Sequence, residues 1–238
     1  MTRLLVGCPV LHREWVLEHW YDHLQVAATA VGITPELVFA GSRATDPATF
    51  EVIDRLPGVA AIVDTAETKH DDRRDWGFRK ARYGHMVYVR NSLLEEVRRL
   101  APDLFFSLDS DILLHHDTIR SLLDAFDQHP EWGAVGARCH LFCTGNRHPS
   151  WANITRMGTL RRVDQPGGLF KVDVLLAAKL MRPAAYNVDY AYHPTGEDAG
   201  WALNCKTAGV TLGWDGRTCS KHLYTRDDLA RTDRRVGF

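Results

Sequence analysis

The stretch that most constrains the fold is Leu104 to Leu114, which reads LFFSLDSDILL. Leu104, Phe105, Phe106 and Leu108 are apolar, and Ile112, Leu113 and Leu114 resume the run after a polar centre. An apolar run of this length predicts a strand buried on both faces of a parallel sheet. Asp109, Ser110 and Asp111 stand at its end. Two carboxylates there are costly unless something pairs with them. The carboxyl ends of strands are also where open α/β sheets bind ligands. A divalent cation, Mg²⁺ or Mn²⁺, shared between a carboxylate and substrate phosphates, accounts for both. Taken alone, Asp-Ser-Asp also reads as turn and capping chemistry before a helix.

The chain has 238 residues, enough for one sizeable core, and its 45% apolar and 25% charged residues suit a globular protein. A formal net charge of -1 announces no strongly basic, nucleic-acid-like surface and leaves local basic patches open. The opening MTRLLVGCPVLHREW is broken by Pro9, His12, Arg13 and Glu14, so it does not read as a secretory signal. No apolar run approaches a membrane span, and the expected location is the cytoplasm. Five cysteines (Cys8, Cys139, Cys143, Cys205, Cys219) are an odd number in a chain of this size, which predicts reduced thiols. Cys139-His140-x-x-Cys143 lacks the second pair that a zinc site needs.

In chain order, RLLV from Arg3 predicts a strand that ends at Gly7-Cys8-Pro9-Val10. Val16, Leu17, Trp20, Leu24, Ala27, Ala28 and Val31 have helical spacing within Glu14 to Val31, with Gly32 as the stop. Strands follow at Glu36 to Ala40 and at Val59 to Val63, the latter ending in Asp64, with a short helix over Thr49 to Leu56 between them. Alternation of strands and helices implies a parallel α/β sheet.

Glu67 to Arg82 is densely charged, and Arg79, Lys80 and Arg82 immediately precede the next helix. Most of these charges read as solvated, although arginine there suits diphosphate recognition. The helix, Tyr83 to Leu100, lines up Met86, Val89, Leu93, Val97 and Leu100. Arg90 and Asn91 inside it read as exposed.

Past the central run, Asp117 predicts an N-cap for a helix carrying Ile119, Leu122, Leu123 and Phe126, and WGAVG from Trp132 a strand. Arg138 to Pro166, which contains Trp151, lacks periodicity and reads as a long functional loop. Gly167 and Gly168 in QPGGLF allow close backbone approach, and Val172 to Leu180 reads as a helix. Thr195 predicts a cap for a helix that starts at Gly196-Glu197-Asp198 and stops at Gly209. Acidic residues in a first turn complement the helix dipole, which is a sufficient reason for Glu197 and Asp198 on its own. Val210 to Trp214 predicts a last strand, followed by Cys219-Ser220-Lys221-His222 and a charged tail from Arg226 to Phe238.

In this order, the end of the first strand at Cys8-Pro9-Val10, MVYVRNSLLEEV, LFFSLDSDILL, QPGGLFKVDVLL, GEDAGWALNCKTAGV and the later His222 resemble the GT-A fold, family 2-like glycosyltransferases that use nucleotide-sugar donors. The resemblance runs from about residue 3 to about residue 222 as a succession of short motifs. It implies one GT-A domain over residues 1–238, a Rossmann-like, mainly parallel central sheet flanked by helices. Its nucleotide-sugar half would be about 1–115, its acceptor and catalytic half about 116–225, and 226–238 a tail.

The resemblance also implies roles. Asp109-x-Asp111 matches the DxD motif, with Asp111 on the metal, Asp109 on the donor ribose or on metal waters, and Ser110 between them in the donor site. His222 matches the histidine that completes Mn²⁺ or Mg²⁺ coordination. Asp198 matches the acidic residue of the ED motif, the base in inverting members, with Glu197 beside it. Pro9, Asp64 and Arg82 would line the nucleotide, Gly168 would shape the donor-sugar pocket, and Trp151 would face the acceptor. Arg90-Asn91 recurs in such helices under the donor without a catalytic role.

The implied activity is metal-dependent transfer of a sugar from a nucleotide-diphosphate sugar, UDP or GDP foremost, to an acceptor hydroxyl with inversion. Two other classes stay open: a HAD-like phosphatase or phosphotransferase using Asp109 as nucleophile, and a non-catalytic nucleotide-sugar-binding protein. Leu113 stands where a HAD motif carries Thr or Val, and the motif lies mid-chain. Arg156, Arg161, Arg162 and Lys171 read as a solvated basic surface, so a nucleic-acid acceptor is not favoured.

Overall fold

The computed structural model describes residues 2–65, 76–141, 151–154, 160–162 and 167–233. Four strands build the first half of its main sheet: β1 (Leu4–Pro9), β2 (Glu36–Gly41), β3 (Val59–Asp64) and β4 (Leu104–Leu108). All pair in parallel, in the order β3-β2-β1-β4. Alternate side chains point to opposite faces of a strand. Thus Leu4, Val6 and Cys8 of β1 enter one core and Leu5 the other, and β4 divides Leu104, Phe106 and Leu108 from Phe105 in the same way.

Helices cover both faces. On one side lie α1 (Leu17–Thr29), α2 (Pro47–Ile53) and α4 (Thr118–Gln128), with α1 burying Leu17, Trp20, Leu24, Ala27 and Ala28. On the other lie α3 (Trp76–Leu100), α5 (Pro183–Tyr186) and α6 (Glu197–Thr207). A short helix such as α2 needs a defined start. Asp46 accepts a hydrogen bond from the Thr49 N–H, and Pro47 opens the first turn.

The second half of the sheet is mixed. Strand β11 (Ala178–Met181) runs antiparallel between β4 and β6 (Trp132–Leu141), β12 (Thr211–His222) runs parallel to β6, and β5 (Ile112–Leu113) forms the edge beyond β12. Strand β9 (Leu169–Val172) also pairs with β12. A separate antiparallel sheet joins β10 (Val174–Leu175), β7 (Trp151–Ile154) and β8 (Leu160–Arg162).

Several expectations are corrected. LFFSLDSDILL is two strands, because Asp109 N–H donates to the Ala177 carbonyl and Ile112 N–H to the Asp109 carbonyl, turning the chain out of β4 and across to the far edge. Val172 to Leu180 is strand, not helix: a short apolar run fits either state, and the unfilled ladder between β4 and β6 decides. Part of the expected loop is ordered, since β6 runs on to Leu141 and β7 and β8 lie within it. The cap of α6 is Gly196 at φ +130°, while the Thr195 hydroxyl pairs with His193. Asp117 precedes α4 without capping it, its carboxylate facing His116 and Arg120. The tail forms helix α7 (Arg226–Asp233), begun by Asp228 accepting from the N–H groups of Tyr224 and Thr225.

Cys8 and Cys205 are buried free thiols, and Cys143 lies outside the described residues. Among the described residues no helix is long and apolar enough to cross a membrane.

Candidate active site

The parallel half of the sheet brings Pro9, Asp64 and Asp109 to one edge, at the carboxyl ends of β1, β3 and β4. The turn after β4 then carries Ser110 and Asp111 toward β12. In that register His222 pairs with Ile112, and Leu223 N–H donates to the Asp111 carbonyl. Two residues more than a hundred positions apart are thereby adjacent: His222 Nε2 lies 3.5 Å from Asp111 Oδ1. Both are buried, with 8% of Asp111 and 9% of His222 exposed.

The other carboxylate oxygen of Asp111 faces Arg13, whose Nη2 is 3.2 Å from Oδ2 and whose Nε donates to Ser110 Oγ at 3.3 Å. Arg13 is held from behind, its own N–H donating to Thr49 Oγ1. Burial raises the Asp111 pKa, but the hydrogen bond and charge of His222 and the charge of Arg13 outweigh it, and the net shift is downward. An ionised carboxylate beside an imidazole is a sound start for a divalent cation, since substrate phosphates and water complete such shells. Asp111 and His222 fit that group as two protein ligands. Asp109 does not join them at ligand distance. Among the described residues, the three ligand groups that do come within 4.8 Å of one another are His115, His116 and Asp117, outside the expected set.

Asp109 is instead drawn to α3. Arg90, with 4% of its side chain exposed, donates from Nη2 to Asp109 Oδ1 at 2.9 Å and from Nε to Glu197 Oε1 at 3.2 Å. Its Nη1 reaches Ser107 Oγ at 3.4 Å. Burial works against this guanidinium, yet Asp109, Asp198, Tyr190 and Glu197 raise its pKa well above the usual value. The same helix holds the chain before α6: Asn91 accepts from the Tyr190 N–H and donates to the Tyr190 carbonyl. Arg90 is therefore buried and Asn91 half-buried, where the sequence predicts exposed side chains. Burial and the adjacent Asp198 charge raise the Glu197 pKa, with Arg90 opposing.

Asp198 has its own cation. Lys179 Nζ lies 2.5 Å from Asp198 Oδ1, and none of the Lys179 side chain is exposed. Lys179 sits mid-sheet on β11, opposite Ser107 and Gly136, and its ammonium lies 5.6 Å from the Tyr190 ring and 5.3 Å from Trp201. Burial lowers its pKa, but Asp198, Tyr190 and Asp109 together outweigh burial and the net shift is upward.

Thus Asp109, Ser110, Asp111, Glu197, Asp198 and His222 lie in one band linked by Arg13, Arg90 and Lys179. The remaining expected residues sit less directly. Asp64 is exposed and accepts from the Arg43 N–H. Arg82 is exposed on α3, roughly two turns before Arg90. Gly168, at φ +78°, accepts from the Gly216 N–H beside β12. Trp151 opens β7, and its side chain, like those of Arg79 and Lys80, lies outside the described set. The sequence reading missed Arg13, in a segment noted only for breaking an apolar run, and Lys179, hidden in the misassigned helix. An isolated lysine between apolar residues (AAKLM) was the available signal.

No family model and no curated protein sequence matches the chain. Among solved structures, S. aureus TarS 1–349 in complex with UDP-GlcNAc is similar with a TM-score of 0.60 and 10% identity, over 94% of this chain and 59% of that one. TarS 1–349 in complex with UDP gives 0.56 and 13%, and TarS 1–349 alone 0.56 and 12%, each over 98% of this chain and 63% of that one. The chain thus spans about three fifths of these structures and shares their fold, the GT-A glycosyltransferase fold.

Proposed function

We propose that this chain transfers a sugar from a UDP-sugar to an acceptor hydroxyl, with Asp111 and His222 as the metal ligands and Asp198 as the base. The observation that carries the reading is the meeting of two carboxylate motifs on a GT-A frame: Arg90 ties Asp109, at the end of β4, to Glu197, in the first turn of α6. The similar structures that hold UDP-GlcNAc and UDP support the donor class.

The chemistry follows from the residues. Asp111 is kept ionised and His222 stands against it, so the pair would hold Mn²⁺ or Mg²⁺. When bound, such an ion supplies Lewis-acid stabilisation of the charge that develops on a leaving diphosphate. Arg13 would add a second cation on the same side. Asp109, fixed by Arg90, would orient the ribose. Pro9 and Asp64, on the neighbouring strand ends, would line the base. Asp198 would take the acceptor hydroxyl proton as oxygen attacks the anomeric carbon from the face opposite the diphosphate, which inverts configuration. Glu197 would support the base through Arg90, and Gly168 and Trp151 would shape the sugar and acceptor pocket.

The test is a thermal-shift panel of UDP-, GDP-, ADP- and dTDP-sugars with and without Mn²⁺, on wild type and Asp111→Ala. At a hundredfold excess over Kd, a ligand specific for the native state adds about 2.7 kcal/mol. That corresponds to roughly 5–10 °C for a chain of this size. A UDP-sugar shift that needs Mn²⁺ and disappears in Asp111→Ala is expected, and the anomeric coupling of the product reports inversion. No shift with any nucleotide would overturn the reading.

A further inference from the structure

We infer that Lys179 is the positioning residue of the base: it holds the Asp198 carboxylate in one orientation and in its ionised form. The inference rests on the reading of Asp198 as base and extends it to a residue on another element.

The physical argument starts from cost. A charged lysine wholly removed from water is strongly disfavoured unless paired. Lys179 sits at the middle of the sheet, where an apolar residue would fill the space at no such cost, as Ala178 and Leu180 do on either side. Its main compensation is the Asp198 carboxylate, whose side chain is 13% exposed. The cation is therefore sealed behind the site and the anion stands at the boundary. An aspartate in a first helical turn could take several rotamers. The contact of Oδ1 with Nζ selects one, and the rings of Tyr190 and Trp201 brace the ammonium against moving away.

Among the described residues, the charged or titratable groups around the pair include Arg90 on α3, Asp109 beyond β4, Tyr190 ahead of α6, and Glu197 and Cys205 on α6. Arg90 is bonded to Asp109 and Glu197, and Lys179 is bonded to Asp198. A base needs its carboxylate charged when the acceptor arrives. A fixed buried cation secures that across the working pH range, and it lowers proton affinity in return. Rate would therefore depend on orientation and constant ionisation rather than on a raised pKa.

The test combines a titration with a double-mutant cycle. The Asp198 carboxyl carbon is followed by NMR from pH 2.5 to 8 in wild type and Lys179→Met. The expected result is a midpoint at least one pH unit higher in the variant. UDP-sugar turnover is measured in wild type, Lys179→Met, Asp198→Asn and the double variant. Lys179→Met is expected to lower kcat at least a hundredfold, to move the acidic limb of the rate profile upward and to leave UDP affinity within twofold. Combined with Asp198→Asn it should add almost nothing, because it acts through that residue. Lys179→Arg, which keeps the charge, should restore the position of the acidic limb. The double variant removes both charges together and so serves as the folding control.

An unmoved Asp198 midpoint, or additive losses in the cycle, would overturn the inference and leave Lys179 a structural residue. Full activity of Asp198→Asn would instead remove Asp198 from the role of base. The NMR titration would then still decide whether Lys179 controls its ionisation.

Discussion

Arg90 donates to Asp109 at 2.9 Å across the join between helix α3 and the end of β4, and with 4% of its side chain exposed it is one of the most deeply buried charges in the molecule. The pair is part of a chain of charges in which Arg90 also reaches Glu197, so the nucleotide side and the acceptor side of the proposed site share one guanidinium. Arginine suits that place because its planar fork can serve two carboxylates at once, which a lysine ammonium does poorly.

Replacing Arg90 therefore has a defined outcome. Arg90→Met leaves two largely buried carboxylates uncompensated and should cost about 3–5 kcal/mol of stability. Arg90→Lys should recover part of that loss while UDP affinity stays about tenfold below wild type, a change of roughly 1.4 kcal/mol. Urea unfolding and calorimetric titration with UDP would measure the two effects. A fully functional Arg90→Lys would show that the charge alone matters.

Helix α6 carries Glu197 and Asp198, and its docking depends on one missing side chain. A Cβ on Gly200 would stand 1.9 Å from the Ala191 carbonyl oxygen and 2.6 Å from its carbon. The obstacle is backbone, so it cannot rotate aside. Gly200→Ala is expected to cost about 3 kcal/mol, at the upper end of overpacking effects, and to weaken turnover by shifting α6. A denaturation midpoint equal to wild type would show that the segment before α6 yields freely.

Three buried thiols predict a loss of stability in alkali. Burial pushes the Cys8 and Cys139 thiols well above the usual range and takes Cys205 up to about 12. The folded chain keeps these protons while the unfolded chain releases them from about pH 8.5. The folded state then binds more protons, so stability is complete below that pH and falls as pH rises toward the folded values. Each thiol contributes a slope of about 1.4 kcal/mol per pH unit in that window. Urea midpoints at pH 7.5, 9 and 10 should fall in this order, and Cys205→Ala should show a shallower decline. A flat profile would mean that the thiols ionise equally easily in both states.

Much of the frame was legible in the residues. Helical spacing from Leu17 to Ala28 and the unbroken apolar pairs of β1, β2 and β4 follow from local rules, and each of these elements forms where those rules place it. The carboxylate motifs were legible as well, because Asp109, Asp111 and the Glu197-Asp198 pair stand at element ends, where buried charge needs a ligand or a partner. The sequence by itself thus determined the α/β frame and the acidic groups of the candidate site.

Only the tertiary structure decided what those acidic groups face. LFFSLDSDILL reads as a strand that ends at Asp109-Ser110-Asp111, and it is the pairing of Ile112 with His222 at the far edge of the sheet that brings Asp111 to its histidine. Val172 to Leu180 has an apolar pattern compatible with helix or strand, and the ladder offered by β4 and β6 makes its end a strand and seals Lys179 inside. Arg13 and Arg90 look like surface charges in one dimension. Each becomes a partner of Asp111 or Asp109 because non-local packing, which carries no periodic signature, folds its element over the strand ends. Local propensity and periodicity reach only a few residues along the chain, whereas the pairing of a buried charge is a property of the assembled core.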